Sequence, residues 1–241
     1  MSNRSDMEVA FDLPGRSLLR MVRILAIAEE TTHSLSVGRI RGIAPDLVVA
    51  CGDLPFDYLD YVASAANRTL LYVPGGHDPD LKTRPLPMYT DSDFSLAWKE
   101  PPGPPGGVNL DGSVEGWKGL TFAGLGGSIR HRPGPNQYSE REMWLRTLRL
   151  RARARLREVI GKGSVDVLVT HSPPRGHGDY DDLEQRGFEC FEGLVERLEP
   201  EVALHGHVHP RGIEEMAIGS SRLVNVIPYK VIEVEPSRPS S

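Results

Sequence analysis

The sequence predicts an α/β fold in which short buried strands alternate with helices. Apolar runs rich in β-branched residues recur along the chain, and helical segments separate several of them. The runs are continuous rather than alternating, which is typical of strands covered on both faces. Several histidines and Asp53 follow such runs directly. Because ligands gather at the carboxyl ends of strands in this fold class, these residues mark the candidate site.

Eight apolar runs are predicted to be strands, since each is short and is bounded by polar or glycine-containing segments. They cover residues 22–28, 47–51, 70–73, 120–125, 165–170, 202–204, 223–227 and 231–234. Three segments with longer, helix-compatible patterns separate some of these strands, at residues 58–67, 140–160 and 188–198.

The predicted helix 140–160 combines an apolar stripe with many arginines. Trp144, Leu148, Ala152, Leu156 and Val159 recur at helical spacing and are expected to face the core. The arginines indicate a solvated basic face with buried stems, or an electropositive surface that attracts a phosphorylated or polymeric substrate. Base rates favour the solvated face.

Composition excludes several classes of protein. The chain has 241 residues and a net charge of −5, which does not favour a nucleic-acid or anionic-membrane coat. Two cysteines without a CxxC pair, and the lack of a bilayer-length apolar run, favour a cytoplasmic protein. We expect a flexible extension at 1–20, a single domain at 21–235 and a frayed tail at 236–241. The oligomeric state stays open.

The residues at the strand ends carry ligand chemistry for metals. The histidines at or next to these ends are His77, His171, His205, His207 and His209. Imidazole is a common metal ligand, and Asp53 adds a carboxylate in the same kind of position. Groups of these two types that converge from several strands are what a two-metal hydrolase requires.

Five segments, in this order and spacing, resemble the five sequence blocks of the calcineurin-like metallophosphoesterase superfamily. They are Ile27-Ala28-Glu29-Glu30-Thr31, Gly52-Asp53, Gly75-Gly76-His77-Asp78, Thr170-His171 and Gly206-His207-Val208-His209. Further segments, such as Cys51-Gly52-Asp53-Leu54-Pro55, resemble a narrower bacterial subgroup whose first block also lacks its histidine. The resemblance implies a four-layer α-β-β-α sandwich of two mixed sheets.

The resemblance also implies a centre of two divalent metal ions, with Mn²⁺, Fe and Zn²⁺ all suited to its ligands. Asp53 would bridge the two ions. His171 and His207 would hold one ion, and His209 would hold the other together with an acidic residue, Glu29, from the first block. A carboxylate shared between the ions would offset their repulsion.

The expected reaction is hydrolysis of a phosphate ester by attack of a metal-bound hydroxide. His77 would stabilise the developing charge or protonate the leaving group, and Asp78 would orient the imidazole ring. Arg130 is a candidate substrate-binding residue, because a guanidinium pairs well with phosphate. The expected partner is a small phosphodiester or phosphomonoester, with no strong nucleic-acid binding and no membrane.

Two blocks depart from the family pattern. Glu29 and Thr31 stand in the first block where the family has Asp-x-His, and Gly76 stands where the third block has asparagine. Each ion would therefore lose one ligand. Restoring asparagine at Gly76 is expected to tighten metal binding. The alternative function is a catalytically impaired member that binds a nucleotide or phosphate ligand as a sensor.

Overall fold

A computed structural model describes residues 21–81, 103–210, 212 and 214–236. The extension predicted at 1–20 and residues 237–241 of the predicted tail lie outside the described residues. The described strands are β1 (Val22–Ile27), β2 (Leu47–Ala50), β3 (Leu70–Tyr72), β4 (Val108–Asn109), β5 (Val114–Trp117), β6 (Leu120–Leu125), β7 (Ser128–Ile129), β8 (Gln137–Tyr138), β9 (Val167–Thr170), β10 (Val202–His205), β11 (Glu215–Ile218), β12 (Ser221–Asn225) and β13 (Tyr229–Val234). The described helices are α1 (Val37–Ile43), α2 (Phe56–Ala66), α3 (Glu140–Val159) and α4 (Glu189–Leu198).

The longer strands form two mixed sheets. The first sheet has the order β13-β1-β2-β3-β4, and only β13 runs antiparallel to its neighbour. The second has the order β11-β12-β10-β9-β6-β5, with β11 and β5 as antiparallel edge strands. β7 and β8 form a separate parallel pair. The central parallel strands bring the carboxyl ends of β1, β2, β9 and β10 to the region where the candidate ligands lie.

The two sheets pack face to face, and helices cover their outer faces. Successive side chains of β1 point to opposite faces of the first sheet. Ile24 and Ala26 lie in the core between the sheets, whereas Leu25 and Ile27 pack with α1 and α2. Helices α3 and α4 pack on the second sheet through a third core. The fold is therefore the predicted four-layer sandwich, which explains why its central strands are apolar at most positions.

Helix α3 has the predicted length but buries a different face. Met143, Leu150 and Ala154 are its buried apolar residues, whereas Leu156 and Val159 are 62% and 67% exposed. The sequence-based assignment of the apolar stripe to the core was wrong. With the buried Thr147, the face that meets the sheet also recurs at intervals of three or four residues, so the periodicity does not tell which face is buried.

The elements that the sequence did not predict are short or lie at edges. α1 has seven residues and begins after the cap Ser36, and β7 and β8 have two residues each. β5 and β11 are edge strands with exposed polar positions, so they lack the continuous apolar pattern of the central strands. Among the described residues, no helix is both long enough and apolar enough to cross a bilayer.

Candidate metal centre

Four of the predicted ligands converge at the ends of four strands, two from each sheet. Glu29 follows β1, Asp53 follows β2, His171 follows β9 and His207 follows β10. One ligand atom from each residue lies within 4.8 Å of the corresponding atoms of the other three. The cluster thus lies where the edges of the two sheets meet, and it needs both sheets to form.

The backbone at three of these positions adopts the left-handed conformation. The φ angles are 62° at Glu29, 54° at Asp53 and 67° at His207. Non-glycine residues rarely adopt positive φ, at a cost of about 1 kcal/mol or more each. The bends recur directly after strand ends, and the His207 amide donates a 2.9 Å hydrogen bond to Glu29 Oε1. The surrounding fold therefore stabilises an unfavourable backbone conformation that brings these three side chains together.

Three polar atoms of the cluster are buried and make no hydrogen bond of good geometry among the described residues, although Asp53 Oδ2 and His171 Nε2 lie 3.3 Å apart. They are Asp53 Oδ2, His171 Nε2 and His207 Nε2. Buried polar atoms almost always find a partner, because an unpaired one loses its hydration without replacement. A single cation would satisfy all three atoms at once. The donor set of two carboxylates and two imidazoles therefore fits a divalent metal such as Mn²⁺, Fe or Zn²⁺.

The orientation of His171 favours the same interpretation. Its Nδ1 lies 2.8 Å from the carbonyl oxygen of Cys51, which can only accept, so Nδ1 carries a proton. Nε2 then faces Asp53 Oδ2 at 3.3 Å. A hydrogen bond from the ring nitrogen that does not bind the metal, here Nδ1, commonly fixes the tautomer of a metal-binding histidine.

Charge in the metal-free cluster is balanced by a proton. Burial alone would lower the pKa of His171, but the attraction of Asp53 and Glu29 raises it to about 9. Burial alone would raise the pKa of Asp53, but His171 lowers it to about 2. The pKa of Glu29 rises to about 7, chiefly through burial, and burial lowers the pKa of His207 to about 3. An imidazolium at His171 therefore provides the positive charge.

Gly75 and Asp78 of the third block contact Asp53 and hold it in position. A Cβ at Gly75 would overlap Asp53 Oδ1, so only glycine allows this approach. Asp78 Oδ2 accepts hydrogen bonds from the amides of Gly75 and Asp53, at 2.7 and 3.1 Å. These bonds place the Asp78 carboxylate on the backbone that holds Asp53, rather than on the imidazole of His77 as the sequence led us to expect.

His77 lies at the open side of the cluster and contacts an arginine that the sequence did not mark. Its amide donates to Asp53 Oδ1 at 2.8 Å, and its Nε2 lies 4.0 Å from Asp53 Oδ2. Its Nδ1 is within hydrogen-bond distance of the Arg132 guanidinium. Arginine only donates, so Nδ1 accepts and the ring proton of the neutral imidazole is on Nε2. No sequence signal distinguishes Arg132 from Arg130.

Two predicted residues have other partners. The guanidinium of Arg130 donates to the carbonyl of Gln137 and pairs with Glu142 at 2.7 Å. Its assignment to substrate stays a prediction. His209 lies outside the four-residue group, with its Nδ1 3.1 Å from Glu30 Oε1. Its role as a metal ligand also stays a prediction.

The family model for calcineurin-like phosphoesterases matches residues 21–211. The chain belongs to this family. One solved crystal structure aligns with a TM-score of 0.55 and 17% identity, over 90% of this chain and all of its own. The TT1561 protein of Thermus thermophilus aligns with a TM-score of 0.54 and 18% identity, over 86% of this chain and 89% of its own. These two structures share the fold. The sequence matches no curated protein.

In this calcineurin-like phosphoesterase family member, the position of the missing asparagine is filled from another loop. A Cβ at Gly76 would overlap Ser128 Oγ and would lie 3.0 Å from Gln137 Nε2. Gln137 Nε2 donates to both the carbonyl of Gly76 and Ser128 Oγ, each at 3.0 Å. The backbone at Gly76 therefore packs closely against the β7–β8 segment, and a side chain at this position would require Ser128 to move.

A cavity of about 460 Å³ opens beside the cluster. It is lined by Glu29, Asp53, Leu54, Pro55, Phe56, His77, Asp78 and Pro79. The lining thus joins two of the clustered carboxylates and His77 to apolar side chains on one wall. A small polar ligand with one apolar portion would suit this lining.

We predict that metal binding releases at least about one proton per site near pH 7.5, because His171 must lose its Nε2 proton to become a ligand. The metal-free cluster holds that proton below its pKa of about 9. Metal and proton compete below that pH, so Mn²⁺ affinity should rise as the pH increases from about 6 to 9. Calorimetric titration in buffers of different ionisation enthalpy measures the release; identical heats in all buffers would contradict it.

We predict that Gly76→Asn lowers the free energy of unfolding by about 1–3 kcal/mol, since the new side chain overlaps Ser128. The added change Ser128→Gly should recover part of this loss. Urea unfolding measures both. Gly38→Asn is the matched control, because a Cβ at that helix position meets no atom within 4 Å. Equal stabilities of the wild type and Gly76→Asn would show that the crowding is absent.

Proposed function

We propose that the protein hydrolyses a phosphate ester of a small substrate at a divalent metal centre. The observation that carries this proposal is the set of three buried, unpartnered donor atoms on Asp53, His171 and His207. They lie beside a cavity that His77 also lines. Membership of the calcineurin-like phosphoesterase family supports the reaction type.

The residues divide between two ion positions in this proposal. Glu29, Asp53, His171 and His207 would hold the first ion. The second would use His209 and Glu30, whose ligand atoms lie 3.1 Å apart at the rim, with Asp53 as the shared carboxylate. When bound, the ions would supply positive charge for the transition state and acidify a water molecule.

The remaining groups act on the substrate directly. The Nε2–H of His77 would donate to a phosphoryl oxygen or to the leaving oxygen, because this atom faces the cluster while Nδ1 is held by Arg132. The same guanidinium would place positive charge at the phosphate. Asp78 would keep the Asp53 backbone in place through its two amide hydrogen bonds.

The substrate in this proposal is a small phosphodiester or phosphomonoester. The net charge of −5 gives no reason to expect a nucleic-acid groove or binding to an anionic membrane. A cytoplasmic location is part of the proposal, and the two free cysteines, Cys51 and Cys190, agree with a reducing compartment.

A second candidate function is sensing of a nucleotide or phosphate without turnover. The observation that favours it is the loss of an expected ligand at each of the two ion positions. Thr31 replaces a histidine, Gly76 replaces an asparagine, and His209 lies outside the four-residue group. A metal-loaded protein that binds nucleotide and hydrolyses no ester would support this candidate.

We predict that Asp53→Asn abolishes hydrolysis of a generic aryl phosphodiester with added Mn²⁺ and weakens Mn²⁺ binding at least about 10-fold. Asparagine tolerates the positive φ of this position and keeps an oxygen for the His77 amide, so the fold should persist. Circular dichroism checks the fold, and calorimetry checks the metal. Unchanged Mn²⁺ affinity would remove Asp53 from the ligand set.

We predict that Arg132→Met lowers turnover by about tenfold, because His77 loses the donor that fixes its tautomer. The spectrum of ¹⁵N-labelled histidine should show the Nε2–H form in the wild type and a mixture of forms in the variant. Arg132→Lys keeps a donor and should retain more activity. Arg130→Met is the comparison variant for the histidine spectrum alone, since Arg130 contacts Glu142 rather than His77. Identical His77 spectra in wild type and Arg132→Met would contradict the assignment.

A further inference from the structure

Helix α3 exposes a second apolar face on the side away from the sheet. This outer stripe comprises Leu145, Leu148, Ala152, Leu156 and Val159. The spacing of three, four, four and three residues places all five on one side of a helix. Leu156 and Val159 are mostly exposed, and Leu145 is 38% exposed. The outer stripe therefore presents apolar surface that the described part of the chain does not cover.

Exposed large apolar side chains concentrate on this helix. Eleven such side chains occur in the described residues, and five lie on α3 or directly after it. These five are Trp144, Leu145, Leu156, Val159 and Ile160. Single exposed apolar residues need no explanation, but a continuous patch marks an interaction surface.

The outer stripe continues into a groove between α3 and α4. The groove has a volume of about 660 Å³. The apolar part of its lining includes Leu148, Ala152, Val165 and Leu198, and the charged part comprises Arg151, Arg155, Arg197, Glu158 and Glu199. Apolar side chains next to charged ones are the lining of a groove that accepts an amphipathic helix.

Arginines outnumber glutamates at this surface, whereas the chain has a net charge of −5. The groove is lined by three arginines and two glutamates, and Arg149 is exposed on α3, while Arg146 and Arg153 contact Asp111 and the Gly112 carbonyl instead. Arg155 pairs with Glu158 at 2.5 Å. The described residues provide no ion-pair partner for Arg149, Arg151 or Arg197. A partner that carries carboxylates beside apolar side chains would complement both properties.

We propose that the outer stripe and the α3–α4 groove form a docking site for an acidic amphipathic helix of a partner protein. A second copy of the same surface would bring Arg149 and Arg151 against cations of like charge. A bilayer surface would not fill a concave groove that charged residues line together with the apolar side chains. The helix of a partner satisfies the shape and the charge together, and it leaves the metal cluster open.

The test uses a fluorescein-labelled synthetic peptide of about 18 residues, with leucines at helical three-four spacing and glutamates elsewhere. Fluorescence anisotropy measures its binding to the full chain. We expect binding that weakens as salt increases. Leu156→Ser with Val159→Ser should reduce the affinity at least about tenfold, because the peptide loses apolar contact. Arg149→Glu with Arg151→Glu should reduce it by about tenfold or more.

Matched controls lie on the other side of the molecule. Val231→Ser changes an exposed apolar residue on β13, and Arg39→Glu reverses an exposed charge on α1. Both should bind the peptide as the wild type does. A peptide of the same composition in shuffled order, and one with lysine in place of glutamate, should not bind. Circular dichroism shows that each variant is folded.

Five results would overturn the proposal. The wild type does not bind the peptide, or it binds the shuffled peptide equally well. The variants at Leu156 and Val159 bind with wild-type affinity. Vesicles containing phosphatidylglycerol sediment the wild type but not these variants, which would indicate a membrane. Light scattering shows a wild-type dimer that these variants dissociate, which would indicate self-association.

Discussion

Charge balance in the buried ligand cluster is the constraint on which the site depends. Two carboxylates and two imidazoles meet where water is largely excluded, and ionised groups there need a compensating charge. In the metal-free protein the proton on His171 supplies it, and the raised pKa of that residue records the attraction of Asp53. A divalent cation would replace that proton and give partners to the three unpaired atoms. The proposed hydrolysis depends on this replacement of the His171 proton by a metal ion.

The two-sheet architecture makes such a cluster possible. Parallel strands deliver their carboxyl ends to one edge of a sheet, and the packing of two sheets brings two such edges together. Glu29 and Asp53 come from the first sheet, and His171 and His207 from the second. The backbone is left-handed at Glu29, Asp53 and His207, so the chain turns just after each strand and their side chains lie in the cluster. The core between the sheets thus determines the distances within the site.

The departure from the family pattern at Gly76 is matched by residues elsewhere in the structure. Ser128 and Gln137 occupy the space that a side chain at Gly76 would need, and Gln137 binds the carbonyl of Gly76. The same β7–β8 segment brings Arg132 to His77. The third block and this segment therefore act as one structural unit, and the residue at position 76 cannot be interpreted without it.

The sequence by itself determined the central strands and the residues available as ligands, because buried strands and strand-end histidines leave a local pattern. The tertiary structure decided the rest, because those outcomes depend on contacts distant in sequence. It selected which of two apolar faces of α3 meets the sheet, and it placed Arg132 rather than Arg130 beside His77. It also left His209 paired with Glu30, outside the four-residue group. The periodicity of a helix shows which residues share a face, but only the packing of helices on sheets decides what that face contacts.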